Sequence, residues 1–114
     1  MKVIIAGSRR IMNYDLLLKT IEESGFKITK VISGGCPNSP DELGERYAKE
    51  NNLPLKIFPA DWDNHGRSAG VIRNKDMAKF ADALIALYDG VSRGTSNMID
   101  EANERELKIF IGRI

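Results

Sequence analysis

The feature that most limits what this chain can fold into is a repeated alternation. A short apolar run ends in small residues, an amphipathic stretch follows, and the pattern begins again. The runs are KVIIAG (2–7), ITKVISGG (28–35), LPLKIFPA (53–60), ADALIALYDG (81–90) and LKIFIG (107–112). They are largely continuous rather than alternating with polar residues, the pattern of strands covered on both faces. Between them, YDLLLKTIEES (14–24) carries Leu17, Leu18 and Ile21 at helical spacing and stops at Gly25. SPDELGERYAKENN (39–52) opens with Ser39 as N-cap, Pro40 at the first helical position and Glu42 three residues after the cap. Two further helices are expected over 69–80, with Ile72, Met77 and Phe80 on the apolar face, and over 97–106. Parallel strands joined by helices in right-handed crossovers give an α/β fold. The expectation is a small doubly wound sheet of five strands in the order 3-2-1-4-5, with helices on both faces. The 114 residues suit a single domain over 1–114.

In such sheets ligands bind beyond the carboxyl ends of the strands, where the strand order reverses, here between the first and fourth strands. Four polar loops converge on that edge: GSRR, SGGCPNSPD, ADWDNHGRSAG and YDGVSRGTSN. In the first, Gly7 and Ser8 allow close backbone approach and Arg9 offers a forked donor to phosphate or carboxylate, while Arg10 reads as a surface residue. In the second, Gly34 and Gly35 resemble half of a dinucleotide fingerprint, but the G-x-G-x-x-G spacing is missing, so no nicotinamide cofactor is expected. Asp41 and Glu45 share one face of the following helix, where they either grip a ribose hydroxyl pair or favour the helix start electrostatically. Trp62 either stacks on a base or covers the sheet edge. Arg73 and Asn74 lie inside a helix; the arginine either reaches back to a ligand or pairs with Asp76.

The stretch LYDGVSRGTSNMIDEA (87–102) contributes Asp89, Ser92, Gly94, Thr95 and Ser96. Small residues before a helix either cradle a phosphate with backbone N–H groups or form an ordinary strand-to-helix turn. His65 stands alone, without metal-ligand spacing, and no metal is expected. No Ser–His–Asp set can be assembled. With 17 basic and 16 acidic side chains, the charge balance argues against a nucleic-acid binder. The single Cys36 suits a reducing cytoplasm, and the opening apolar run is too short for a secretory signal or a membrane span.

Taken together, VIIAGSR, SGG…D.LGERYA, ADW…G..AG.IRN..M and ADALIALYDG.S.GT.NMID.A resemble the small YspA/YpsA-related branch of the SLOG superfamily, which also holds the DprA (SMF) and LOG ("lonely guy") proteins. The resemblance covers nearly the whole chain. It implies a Rossmann-like fold that binds a nucleotide or a nucleotide-derived, ADP-ribose-like molecule across the strand ends, as a sensor or a sequestering module. A sensor domain with no attached effector acts through a partner, by sequestration or as a homo-oligomer, and a dimer or tetramer is expected. Two departures stand out. SGGCPNSPD carries one residue more than the family's S-G-G-A-x-G-A-D loop and lacks its third glycine. In LOG phosphoribohydrolases an Arg, matched by Arg73, works with a Glu in a P-G-G-x-G-T-x-x-E loop, and here Met98 stands at that Glu, within about the first turn of the 97–106 helix. A hydrolase would therefore need another carboxylate, Glu45 or Asp89, beside Arg73. A DprA-like nucleic-acid binder is the weaker alternative.

Overall fold

Val3, Ile4 and Ile5 are buried in unbroken succession, which a strand achieves only when both its faces are covered. The computed structural model describes residues 1–113, the side chain of Arg113 excepted. Strands β1 (Lys2–Gly7), β2 (Lys30–Ser33), β3 (Leu55–Ile57), β4 (Ala83–Tyr88) and β5 (Lys108–Arg113) form one sheet in the order β3-β2-β1-β4-β5. Every pairing is parallel.

Side chains alternate across each strand, so the two faces collect two separate cores. Val3, Ile5, Val31, Ile85 and Leu87 meet Leu17 and Ile21 of α1 (Tyr14–Ser24) and Leu43 of α2 (Pro40–Glu50). Ile4, Ala6, Ile32, Leu84 and Ala86 meet Met77 of α4 (Ala69–Phe80) and Met98 and Ala102 of α5 (Arg93–Glu104). The doubly wound α/β sheet expected from the apolar runs is the observed fold. No described helix is long and apolar enough to cross a membrane.

The caps explain several boundaries. Asn13 accepts from Leu16 N–H at the start of α1, and Gly25 ends that helix in the left-handed region at φ 70°. Ser39 caps α2 by accepting from Asp41 N–H at 3.2 Å. Glu42 reaches past the expected capping-box partner to the N–H of Asn38.

Three expectations need correction. The run 53–60 yields a strand of only three residues, all exposed, because the helices pack over β1, β2, β4 and β5 and leave β3 as a bare edge. The loop after it contains a single helical turn, α3 (Trp62–His65), capped by Asp61, which accepts from Asn64 N–H. Helix α5 begins at Arg93 rather than near 97, because Ser92 is extended and turns its hydroxyl toward Thr95 N–H as the cap.

Where α2 crosses β1, the fold depends on a missing side chain. A Cβ on Gly44 would lie 2.8 Å from the Cβ of Ile5, which is fully buried. Gly44→Ala improves helix propensity by about 1 kcal/mol, but forces α2 off the sheet. The expected outcome in urea denaturation is a net loss of about 1–2 kcal/mol, and a gain in stability would show that α2 does not approach β1 this closely.

Candidate functional site

At the carboxyl ends of β1, β2 and β4 the backbone opens into a cleft of about 990 Å³, walled by the loops after β1 and β2, by α4 and by the start of α5. Its floor is a seam between β1 and β4. Ser8 N–H donates to Leu87 C=O at 2.9 Å, and Ser8 Oγ accepts from Asp89 N–H at 3.2 Å. The same oxygen lies 3.4 Å from Thr95 Oγ1, which in turn donates to Ser92 Oγ at 3.2 Å. Ser8 is 1% exposed and does not line the cleft; it stitches two loops together. A Cβ on Gly7 would strike the Leu87 carbonyl and come within 2.6 Å of Pro40 Cγ, so only glycine lets the seam close.

The far wall is held by α4. Arg73 Nη1 donates to Gly34 C=O at 2.7 Å and its Nε donates to Asn74 Oδ1 at 3.0 Å. Asn74 Nδ2 donates to Asn97 Oδ1 at 2.8 Å on α5. Of the two sequence readings of Arg73, pairing with Asp76 is not what forms; the arginine turns toward the loop after β2. A Cβ on Gly34 would fall 2.6 Å from Arg73 Nη1 and 3.0 Å from Asp41 Oδ2, so glycine lets arginine and aspartate close on this loop from two helices.

The carboxylates are largely committed to the protein itself. Asp41 is 6% exposed and accepts from Cys36 N–H at 3.0 Å. Burial pushes its pKa up to about 6, against the pull of the Cys36 hydrogen bond and the Arg73 charge, with Glu45 adding to the rise. Glu45 accepts from Ser33 Oγ at 2.6 Å and does not face the cleft, so the shared helix face of Asp41 and Glu45 does not present two carboxylates to one ligand. Asp89 Oδ1 accepts from both Val91 and Ser92 N–H, which hold its carboxyl below the usual range.

Gly7, Arg9, Gly34, Gly35, Asp41, Trp62, Arg73, Asn74, Asp89, Ser92, Gly94 and Thr95 all border the cleft, whereas Ser8 and Ser96 do not. Trp62 is 57% exposed on the rim. Met98 is placed differently from the sequence reading. With α5 starting at Arg93 it lies in the second turn, 2% exposed, its side chain in the core against β1 and β4 at the cleft floor. Sequence reasoning missed three lining arginines, Arg10, Arg67 and Arg93. Their signal was the clustering of arginines in just those loops that end at the switch point.

A family profile described as the YspA, cpYpsA-related SLOG family matches residues 1–65, the half that supplies the loops after β1, β2 and β3. The chain is also similar to the Gene 61 protein of Mycobacterium phage D29. The two are 30% identical over 119 residues, which span 96% of this chain and 94% of that protein.

The raised Asp41 pKa has a sign that can be measured. The folded state holds this proton up to about pH 6 and the unfolded chain releases it near 3.8. Between those values the unfolded state binds fewer protons, so this group's contribution to stability falls as pH rises, by an amount on the order of 3 kcal/mol in all. Asp41→Asn keeps an acceptor for Cys36 N–H and removes the charge. The stability of the variant relative to wild type should therefore climb between pH 4 and pH 6.5 and then level off, read from denaturation midpoints across that range. A difference that stays flat would mean the carboxyl is not desolvated.

Proposed function

We propose a function from the premise that the chain belongs to the YspA, cpYpsA-related SLOG family, whose fold serves nucleotide-related binding. It binds a nucleotide or a nucleotide-derived, ADP-ribose-like small molecule in the cleft, as a sensing or sequestering module. The observation that carries this reading is the cleft's composition at the switch point. One wall is the first turn of α5, where the N–H groups of Arg93 and Gly94 have no carbonyl in a preceding turn to bond. A Cβ on Gly94 would meet no atom within 4 Å, so this wall faces open space. Across from it stand Arg73 and the glycines after β2. Phosphate oxygens fit the α5 side, where amides and helix dipole favour negative charge. The exposed ring of Trp62 on the rim offers a flat apolar surface for a base.

Gly94→Val tests the reading directly. The position is helical and open, so the variant folds as wild type while its side chain fills the phosphate seat. Calorimetric titration with nucleotides should show heat of binding for the wild type and none for Gly94→Val. Unchanged affinity in a folded variant would remove the α5 turn from the site.

The hydrolase alternative has less support. An oxocarbenium-like transition state needs a carboxylate at the sugar carbon. Met98 is a buried thioether, Glu45 faces away from the cleft, and Asp89 has its Oδ1 held by two amides of its own loop. The purified protein is expected to release no free base from nucleoside monophosphates. Steady release that disappears in Arg73→Ala would make the chain an enzyme with a different acid.

A further inference from the structure

The main cleft continues sideways into an annex of about 310 Å³ between the loops after β1 and β2, lined by Arg9, Arg10, Cys36, Pro37 and Asn38. The first four of these also line the main cleft, so the two spaces adjoin. The annex has a rigid frame. Arg10 N–H donates to Asn38 C=O at 2.8 Å, and both residues are in the left-handed region, at φ 72° and 52°. That conformation is unfavourable for an ordinary side chain, and here the hydrogen bond between the loops holds it in place. Arg9 follows directly on Ser8, the residue that binds the loop after β1 to the turn before α5.

Arg9 and Arg10 are both exposed, and neither guanidinium makes a hydrogen bond or ion pair with any described residue. The ion pair found among the described residues is Arg46–Glu50, on α2. The two carboxylates bordering the cleft, Asp41 and Asp89, do not line the annex, and neither forms an ion pair with Arg9 or Arg10. In a chain with 17 basic and 16 acidic side chains, an uncompensated arginine pair on a braced loop is a local concentration of charge rather than a general one. Such a pair fits a terminal phosphate, which carries two negative charges and three acceptor oxygens.

We propose that the ligand of this cleft carries two or more linked phosphates and that its terminal phosphate is seated between Arg9 and Arg10 in the annex. The ligand class is a nucleoside diphosphate or triphosphate rather than a monophosphate. The assignment rests on the nucleotide-binding reading of the main cleft and specifies which nucleotides bind. A monophosphate held at the α5 turn would leave the arginine pair and the annex unused. Each added phosphoryl group extends the ligand across the seam toward them.

The test is calorimetric titration of the full chain with the mono-, di- and triphosphates of the four common ribonucleosides at fixed ionic strength. For the preferred base, the diphosphate or triphosphate should bind about tenfold more tightly than the monophosphate. Arg9→Ala/Arg10→Ala should bring that ratio close to one. Lys19→Ala/Arg105→Ala, which removes two positive charges from exposed positions on α1 and at the end of α5, should preserve it. Equal affinity for mono- and diphosphates in the wild type overturns the annex assignment and leaves the nucleotide reading standing. A ratio that survives Arg9→Ala/Arg10→Ala, or falls equally in the control variant, overturns it as well. Absence of binding by every nucleotide tested overturns both.

Discussion

The closeness of β1 to β4 at their carboxyl ends is the constraint on which the site depends. Sequence neighbours would place β2 beside β1 on one side, but the strand on the other side must arrive from much later in the chain, and the crossover leaves a crevice above the join. Gly7 lets the two backbones meet, and Ser8 then locks them with its amide to Leu87 and its hydroxyl to the Asp89 amide. Small residues matter here because they let backbone reach backbone. The groups that border the cleft, Arg9 and Arg10 on one side and the first turn of α5 on the other, sit just beyond that contact along each chain segment.

Hydrogen bonding divides the residues near the cleft into two kinds. Ser8, Ser33, Glu45, Asp89 and Asn74 spend polar atoms on hydrogen bonds within the protein and fix the walls. Arg9, Arg10, Arg67 and Arg93 have no such engagements among the described residues and border the opening. Five arginines, Arg9, Arg10, Arg67, Arg73 and Arg93, border the cleft against two carboxylates, Asp41 and Asp89, so a chain of nearly balanced formal charge presents a positive cleft. Net charge alone could not have shown this.

Strand order and the placing of the polar loops were legible because buried parallel strands have a continuous apolar pattern that few other elements share. The helix starting at Ser39 was equally clear, since Ser, Pro and Glu each occupy a position with its own steric or hydrogen-bonding reason. Helix α5 was read four residues late because Gly94 and its hydroxyl neighbours favour loops by intrinsic propensity, and only the backbone angles of Ser92 reveal a cap. The order 3-2-1-4-5 already put β3 at an edge, but its shortness and exposure escaped notice because an apolar run has the same appearance whether or not a helix covers it. Arg10 is exposed, as read, but its place at the cleft and annex was not legible because it depends on a left-handed turn bonded to Asn38, far away in sequence. Long-range contacts of this kind leave no local trace.

The bare edge at β3 has a kinetic consequence. One side of the cleft is built on β1 and β4, whose side chains lie in the two cores, and the other borders Ile57 and Trp62 on a strand of three exposed residues and the turn after it. The free energy of opening is unevenly distributed across such a structure, and the segment with the fewest buried contacts exchanges its amide hydrogens first. The wall from β3 to α4 can thus loosen while the seam stays closed. A bound molecule would enter and leave past the tryptophan side, and its residence time would be governed by how firmly it holds that wall in place.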